Sequence, residues 1–203
     1  MVKHSKITKV FQLSLVIIFI LVLLGLFVPQ QFQNISFYLK NLLTTSVGWF
    51  YLLLVTGILI FCVFLIVSPI GQIRLGNPTS RPEHSTTSWI AMMFSAGMGI
   101  GLVFYGAAEP LSHFAISTPN AEIGSADALA DALRFTFFHW GFHAWAVYAL
   151  VGLSLAYFGF RKREKYQLSV VFKPLFGKYA DGPIATIIDT ITIIATVIGV
   201  ATT

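Results

Sequence analysis

Glycine recurs on alternate residues at Gly97, Gly99 and Gly101, inside a long apolar run. Each glycine in a helix interior costs roughly 1 kcal/mol relative to alanine, so this spacing suits a helix that breaks here. The backbone N–H and C=O groups freed by such a break can bind ligands within a membrane. The pattern alone slightly favours the other interpretation, a packing face in which Gly97 and Gly101 form a GxxxG pair that needs no ligand.

Three aromatic residues follow further along the chain: Trp140, Trp145 and Tyr148. On one continuous helix, at about 100° per residue, their rings project within an arc of about 140°. Such rings can form part of an aromatic cage that holds a quaternary ammonium group by cation–π attraction, worth about 2 kcal/mol or more when desolvated. Without further context, packing of these rings in a core is the preferred interpretation.

His139 and His143 stand four residues apart, which is a spacing that metal ligands use. Trp140 occupies the position where a zinc protease needs glutamate, and no third ligand is apparent from the sequence. We therefore expect no metal ion here, and a membrane metalloenzyme is the weakest of the functional alternatives.

Two acidic residues lie in apolar runs. Glu109 precedes Pro110, which we expect to end its helix, and a carboxylate at such an end snorkels or caps. Asp189 lies deeper in its run, so structural and functional roles both remain open for it. Several threonines follow Asp189, and their hydroxyl groups either bond to the helix backbone, as we expect by default, or contribute to a sodium site.

The composition shows what must position these residues. Of the 203 residues, 56% are hydrophobic and 10% are charged, whereas soluble domains carry about 25% charged residues. This balance excludes an ordinary soluble globule and predicts an all-α integral membrane protein with one membrane domain over residues 1–203. Five apolar runs reach the roughly 20 residues that a spanning helix needs: about 10–28, 47–67, 89–111, 135–160 and 183–203.

The basic residues indicate the orientation. Most of the 13 Lys and Arg residues lie in the N-terminal tail and in the second and fourth loops, and cytoplasmic loops retain such charges. We therefore expect a multi-pass protein of the cell membrane with a cytoplasmic N-terminus. The basic residues form no single patch, so nucleic acid is not an expected partner.

Together these motifs resemble the betaine/choline/carnitine transporter (BCCT) family, and most closely its glycine betaine transporters. The resemblance is carried by Ser88-Trp89, the Gly97-Met98-Gly99-Ile100-Gly101 run, the sequence FYGAAEP at residues 104–110, and His139-Trp140-Gly141 with Trp145 and Tyr148. It implies a twelve-span secondary transporter with an inverted-repeat, sodium-symporter-like fold. This chain would hold the first five spans and stop within the fifth.

The resemblance also implies roles for particular residues. The substrate-binding residues would be Gly97, Met98, Gly99, Gly101, Trp140, Trp145 and Tyr148. Backbone carbonyl groups of Ser95 and Met98 would form half of a sodium site, with the Thr196 hydroxyl as a further ligand. Phe104 would act as a gating aromatic residue.

The expected function is therefore sodium-coupled import of glycine betaine, or a related quaternary ammonium zwitterion, for osmoprotection. Choline-transporting relatives tend to place aspartate at the position of Gly101, so glycine there favours a substrate that carries its own carboxylate. The resemblance implies no enzyme activity and no cofactor, Na+ being the coupling ion, and a homotrimer in the lipid bilayer for a complete protein. The alternative is a truncated membrane remnant that does not transport.

Overall fold

The computed structural model describes residues 8–97, 99–116 and 121–202, and within them it contains helices and no strand. The α-helices are α1 (Lys9–Phe27), α2 (Pro29–Val67), α3 (Thr86–Gly97), α4 (Ile100–Ala115), α5 (Ala126–Trp140), α6 (Phe142–Ala156), α7 (Leu168–Val171), α8 (Lys173–Phe176) and α9 (Pro183–Thr202). Two 3-10 turns (Pro69–Gln72 and Gly177–Asp181) and a π-helical turn (Tyr157–Arg161) complete the described elements.

Four helical stretches in the described part are long and apolar enough to cross a bilayer: Lys9–Phe27, Pro29–Val67, Ala126–Arg161 and Pro183–Ala201. They correspond to the first, second, fourth and fifth predicted runs. Most of their large apolar side chains are exposed within this chain, as expected where lipid or further helices are the neighbours.

Helix α2 begins only one residue after α1 ends, so residues 29–46, which the sequence analysis treats as a loop, are helical. Proline suits the first helical position because the N–H it lacks would have no partner there. Further along, the hydroxyl groups of Ser36 and Thr44 donate to carbonyl groups four residues earlier, at 2.8 and 3.0 Å. These polar side chains are thus satisfied within the helix.

The third predicted run is divided between α3 and α4, and the break falls in the glycine-rich segment, which agrees with one of the two interpretations of its spacing. With 12 and 16 residues, the two helices are about 18 and 24 Å long, and each is shorter than a bilayer core of about 30 Å. Gly99 precedes α4 in an extended conformation. The Ser85 hydroxyl accepts the Ser88 N–H at 3.2 Å and caps α3.

Pro110 lies inside α4, and the prediction that it ends the helix is wrong. Proline removes one backbone donor and disfavours the helix locally. Helix α4 nevertheless continues to Ala115 and packs along α5, so tertiary contacts outweigh this local cost.

The fourth predicted run is also interrupted. Helix α5 begins earlier than predicted, at Ala126, because the Ser125 hydroxyl caps it by accepting the Ala128 N–H at 3.1 Å. It ends at Trp140, and Gly141 separates it from α6. A Cβ atom at Gly141 would collide with the carbonyl oxygen of Phe137, so this interruption requires glycine.

The chain divides into two compact units. Of the described residues, the first unit contains those up to Leu53 and from Leu153 onward, and the second contains Leu54–Gly152. In the first unit, α9 packs against α1 and α7. The buried carboxylate of Asp189 accepts the Ser169 N–H at 3.0 Å and the Ser169 hydroxyl at 2.8 Å. Asp189 therefore has a structural role in joining α7 to α9.

Candidate functional site

A carboxylate joins α4 to the end of α5 in the second unit. Oε1 of Glu109 is hydrogen-bonded to Nδ1 of His139 and lies 3.3 Å from Nε2 of His113. Its other oxygen, Oε2, accepts the indole N–H of Trp140. Glu109 therefore binds one residue of its own helix and two residues in the last turn of α5.

The Trp140 ring is held by a second contact. It stacks on Tyr105 of α4, with ring centroids 5.8 Å apart and an angle of 26° between the planes. Tyr105 in turn meets Phe104 edge to face at 5.2 Å. The stack and the hydrogen bond to Glu109 together fix both the plane and the direction of the indole.

The other two predicted aromatic residues lie on α6. Trp145 and Tyr148 have ring centroids 5.9 Å apart, and the Trp145 indole donates to the Trp140 carbonyl oxygen at 3.1 Å. This bond satisfies a backbone acceptor at the end of α5 and ties α6 to it. Their side chains are 41% and 72% exposed, respectively, so parts of both rings are open to a ligand or to a further helix.

The expectation that Trp140, Trp145 and Tyr148 lie on one continuous helix is wrong. Because α5 ends at Trp140 and α6 begins at Phe142, a single wheel does not describe their directions. The three residues are nevertheless connected. The Trp145 ring contacts the Tyr148 ring, and the Trp145 indole N–H donates a hydrogen bond to the Trp140 carbonyl oxygen.

The remaining predicted residues of the second unit lie at or near the break. Gly97 is the last residue of α3, Gly99 precedes α4, and Gly101 is in the first turn of α4. Ser95 is exposed on α3, and Phe104 is exposed on α4. Met98 lies outside the described residues.

Thr196, the predicted sodium ligand, belongs to α9 in the first unit. Its hydroxyl donates to the Thr192 carbonyl oxygen at 2.8 Å, and the Thr192 hydroxyl donates to the Ile188 carbonyl oxygen at 2.8 Å. The expected backbone bonding is therefore confirmed for both hydroxyl groups. A hydroxyl oxygen that donates its proton keeps lone pairs, so Thr196 can still coordinate a cation.

The partners of Glu109 and the role of Tyr105 were not predicted from the sequence. Glu109 and His113 are four residues apart and share a helix face. Their contact was not predicted because Pro110 was expected to end the helix between them. The approach of His139 and Trp140 depends on how α5 packs, which no local pattern encodes. His143 faces elsewhere in the second unit, with Nε2 3.4 Å from the Thr56 hydroxyl.

A double-mutant cycle measures the contact between Glu109 and Trp140. Trp140→Phe keeps an aromatic ring for the stack on Tyr105 but removes the donor, and Glu109→Ala removes the acceptor. Because a hydrogen bond to a charged group contributes about 1.5–3 kcal/mol, we expect a coupling energy of that size in the free energy of unfolding of the full-length protein.

Tyr148→Phe combined with Glu109→Ala is the control cycle, since Tyr148 packs on Trp145. We expect its coupling energy to stay below about 0.5 kcal/mol. Equal coupling in the two cycles would contradict a specific bond between Glu109 and Trp140.

Comparison with known proteins places these features in a family. Residues 9–203 match the family described as BCCT, betaine/carnitine/choline family transporter. The glycine betaine transporter OpuD of Bacillus subtilis (strain 168) is 52% identical over 202 residues, which are 100% of this chain and 39% of that protein. The ectoine/hydroxyectoine transporter of Virgibacillus pantothenticus is 43% identical over 194 residues, covering 95% of this chain and 38% of that protein.

A third relative, the glycine betaine/proline/choline/ectoine transporter VP1456 of Vibrio parahaemolyticus, is 42% identical over 189 residues, which are 92% of this chain and 34% of that protein. The chain thus spans about two fifths or less of the length of these curated relatives. The four apolar helical stretches and the transporter relatives indicate a multi-pass membrane protein. Since the family match extends over nearly the whole chain, the chain belongs to the BCCT family of betaine/carnitine/choline transporters.

Proposed function

We propose that this chain forms the N-terminal part of a sodium-coupled importer of glycine betaine, or of a related quaternary ammonium zwitterion, used for osmoprotection. The relatives named as glycine betaine and ectoine transporters support this substrate class. The observation that carries the proposal is the stack of Trp140 on Tyr105. It brings the aromatic end of α5 to the first turns of α4, just beyond the break.

The two helix ends at the break suit the carboxylate of a zwitterion and the coupling ion. The N-terminus of α4 presents unpaired N–H groups and the positive end of the helix dipole, which favour a carboxylate. The C-terminus of α3 presents carbonyl oxygens, including that of Ser95, and oxygens are the ligands that sodium prefers. The carbonyl of Met98, which lies outside the described residues, is the second backbone ligand in our proposal.

The ammonium group of the substrate would then contact the aromatic residues. Trp140, Trp145 and Tyr148 supply the rings for cation–π attraction, and Gly97, Gly99 and Gly101 let the backbone approach the substrate closely. Phe104 lies on the same helix as Tyr105 and closes the path as a gate. Sodium and substrate are coupled because both stabilise the same arrangement of the broken helix.

Orientation and assembly follow the same proposal. The distribution of Lys and Arg supports a cytoplasmic N-terminus. The complete protein would form a homotrimer, which its mass in detergent would show.

Uptake of labelled glycine betaine tests the substrate site, using the full-length protein in cells that lack other betaine transporters. We expect Tyr148→Ala to raise the KM for betaine about tenfold or more, because one well-placed ring contributes about 2 kcal/mol when desolvated. Phe142→Ala is the matched control, since Phe142 lies on the same helix and is 81% exposed, against 72% for Tyr148. A similar KM in the two variants would contradict the aromatic site.

Two threonines with the same backbone bond separate a sodium ligand from a structural hydroxyl. We expect Thr196→Val to raise the sodium concentration needed for half-maximal betaine uptake about tenfold, since a ligand oxygen is lost. Thr192→Val, one turn away and with a hydrogen bond of the same length, should leave it nearly unchanged. Equal shifts would show that only helix stability changed, and uptake independent of external sodium would exclude the coupling.

Gly101 tests the preference for a zwitterion. A carboxylate introduced by Gly101→Asp would attract a cationic substrate that lacks its own anion, so we expect choline to compete with betaine uptake at least about tenfold more strongly in this variant. Gly101→Asn, which adds similar volume without charge, is the control. Unchanged competition by choline would contradict this account of selectivity.

A further inference from the structure

Three side chains of the second unit bring metal-binding atoms together: Glu109, His113 and His139. Their ligand atoms, one from each residue, all lie within 4.8 Å of one another. Glu109 and His113 stand one turn apart on α4, and His139 reaches them from α5. The substrate and sodium sites proposed above do not use these three groups as ligands.

The donor set indicates a class of ion. Two imidazole nitrogens and one carboxylate oxygen suit Zn2+ and similar first-row transition metals, whereas Mg2+ and Ca2+ prefer oxygen ligands alone. In a tetrahedral zinc site with bonds of about 2.0–2.1 Å, neighbouring donor atoms are about 3.3 Å apart. The distance between His113 Nε2 and Glu109 Oε1 is already 3.3 Å. Because all three ligand atoms lie within 4.8 Å of one another, side-chain rotations alone can adjust the position of the His139 nitrogen.

The surroundings also suit a metal ion. The indole of Trp140 donates to Oε2 of Glu109 and so orients the carboxylate, as residues around a metal commonly do for its ligands. The side chains of Glu109, His113 and His139 are 16%, 19% and 48% exposed. His139 is thus the most exposed of the three ligands within this chain.

We propose that Glu109, His113 and His139 form a binding site for Zn2+ or a similar divalent transition-metal ion, a property beyond the proposed transport of betaine. The ion replaces the hydrogen bonds between the two histidines and the carboxylate with coordinate bonds. Because the ligands come from both α4 and α5, the ion clamps these helices together. Its removal leaves the hydrogen-bonded cluster.

Zinc binding to the purified full-length protein tests the site. After treatment with EDTA, the protein is titrated with Zn2+ in competition with a chromophoric chelator, and with Co2+, whose absorption spectrum reports imidazole coordination. We expect one ion per chain and a rise in Tm with added zinc, since an ion that binds only the folded state stabilises it. If the folded wild-type protein does not bind zinc stoichiometrically, the proposal is overturned, and no variant is needed to show it.

Matched variants assign the ligands. We expect His113→Ala and His139→Ala each to weaken zinc binding at least about tenfold. His143→Ala, which removes a histidine whose contact is Thr56, should leave zinc binding unchanged. If a ligand variant fails to fold, His113→Gln tests the same loss with an amide of similar polarity. Equal zinc affinity in His113→Ala, His139→Ala and wild type would overturn the assignment, and betaine uptake is scored separately.

Discussion

The hydrogen bonds of the Glu109 carboxylate hold α4 against the end of α5 in the second unit. Within a bilayer, an unpaired backbone group costs several kcal/mol, so a helix that is interrupted there needs side chains to hold its ends. Glu109 accepts hydrogen bonds from both residues that end α5, His139 and Trp140. The Trp145 indole then satisfies the Trp140 carbonyl group across the second interruption.

These contacts explain how glycine-rich breaks coexist with a defined geometry. Gly141 is required where a Cβ atom would strike the backbone, and the segment 97–101 separates two helices that are each too short to span alone. The stack of Tyr105 on Trp140 connects the two interrupted regions. Helix ends that would be unfavourable in lipid are thus held in fixed positions, and in our proposal they bind a carboxylate and a cation.

Sequence patterns predict much of the fold but less of the site. Apolar runs long enough to cross a bilayer predict the four spanning stretches, because this signal is local. The alternate glycines suit either a break or a packing face, and only the structure shows that α3 ends at Gly97. Pro110 was expected to end its helix, but the local destabilisation of the helix by proline is outweighed by the packing of α4 against α5. The contact between Glu109 and His139 joins residues that are 30 positions apart, so no periodicity reveals it. Likewise, the predicted common direction of Trp140, Trp145 and Tyr148 assumed a continuous helix, and the sequence pattern did not reveal the interruption at Gly141.

In our proposal, the broken helix and its aromatic neighbours bind a zwitterion together with sodium. Equilibrium binding of glycine betaine to the purified full-length protein, in sodium chloride and in potassium chloride at equal ionic strength, tests it most directly. The account predicts affinity at least about tenfold higher in sodium, which corresponds to a coupling free energy of about 1.4 kcal/mol. Equal affinity in the two salts, or no betaine binding by the folded protein, would contradict it.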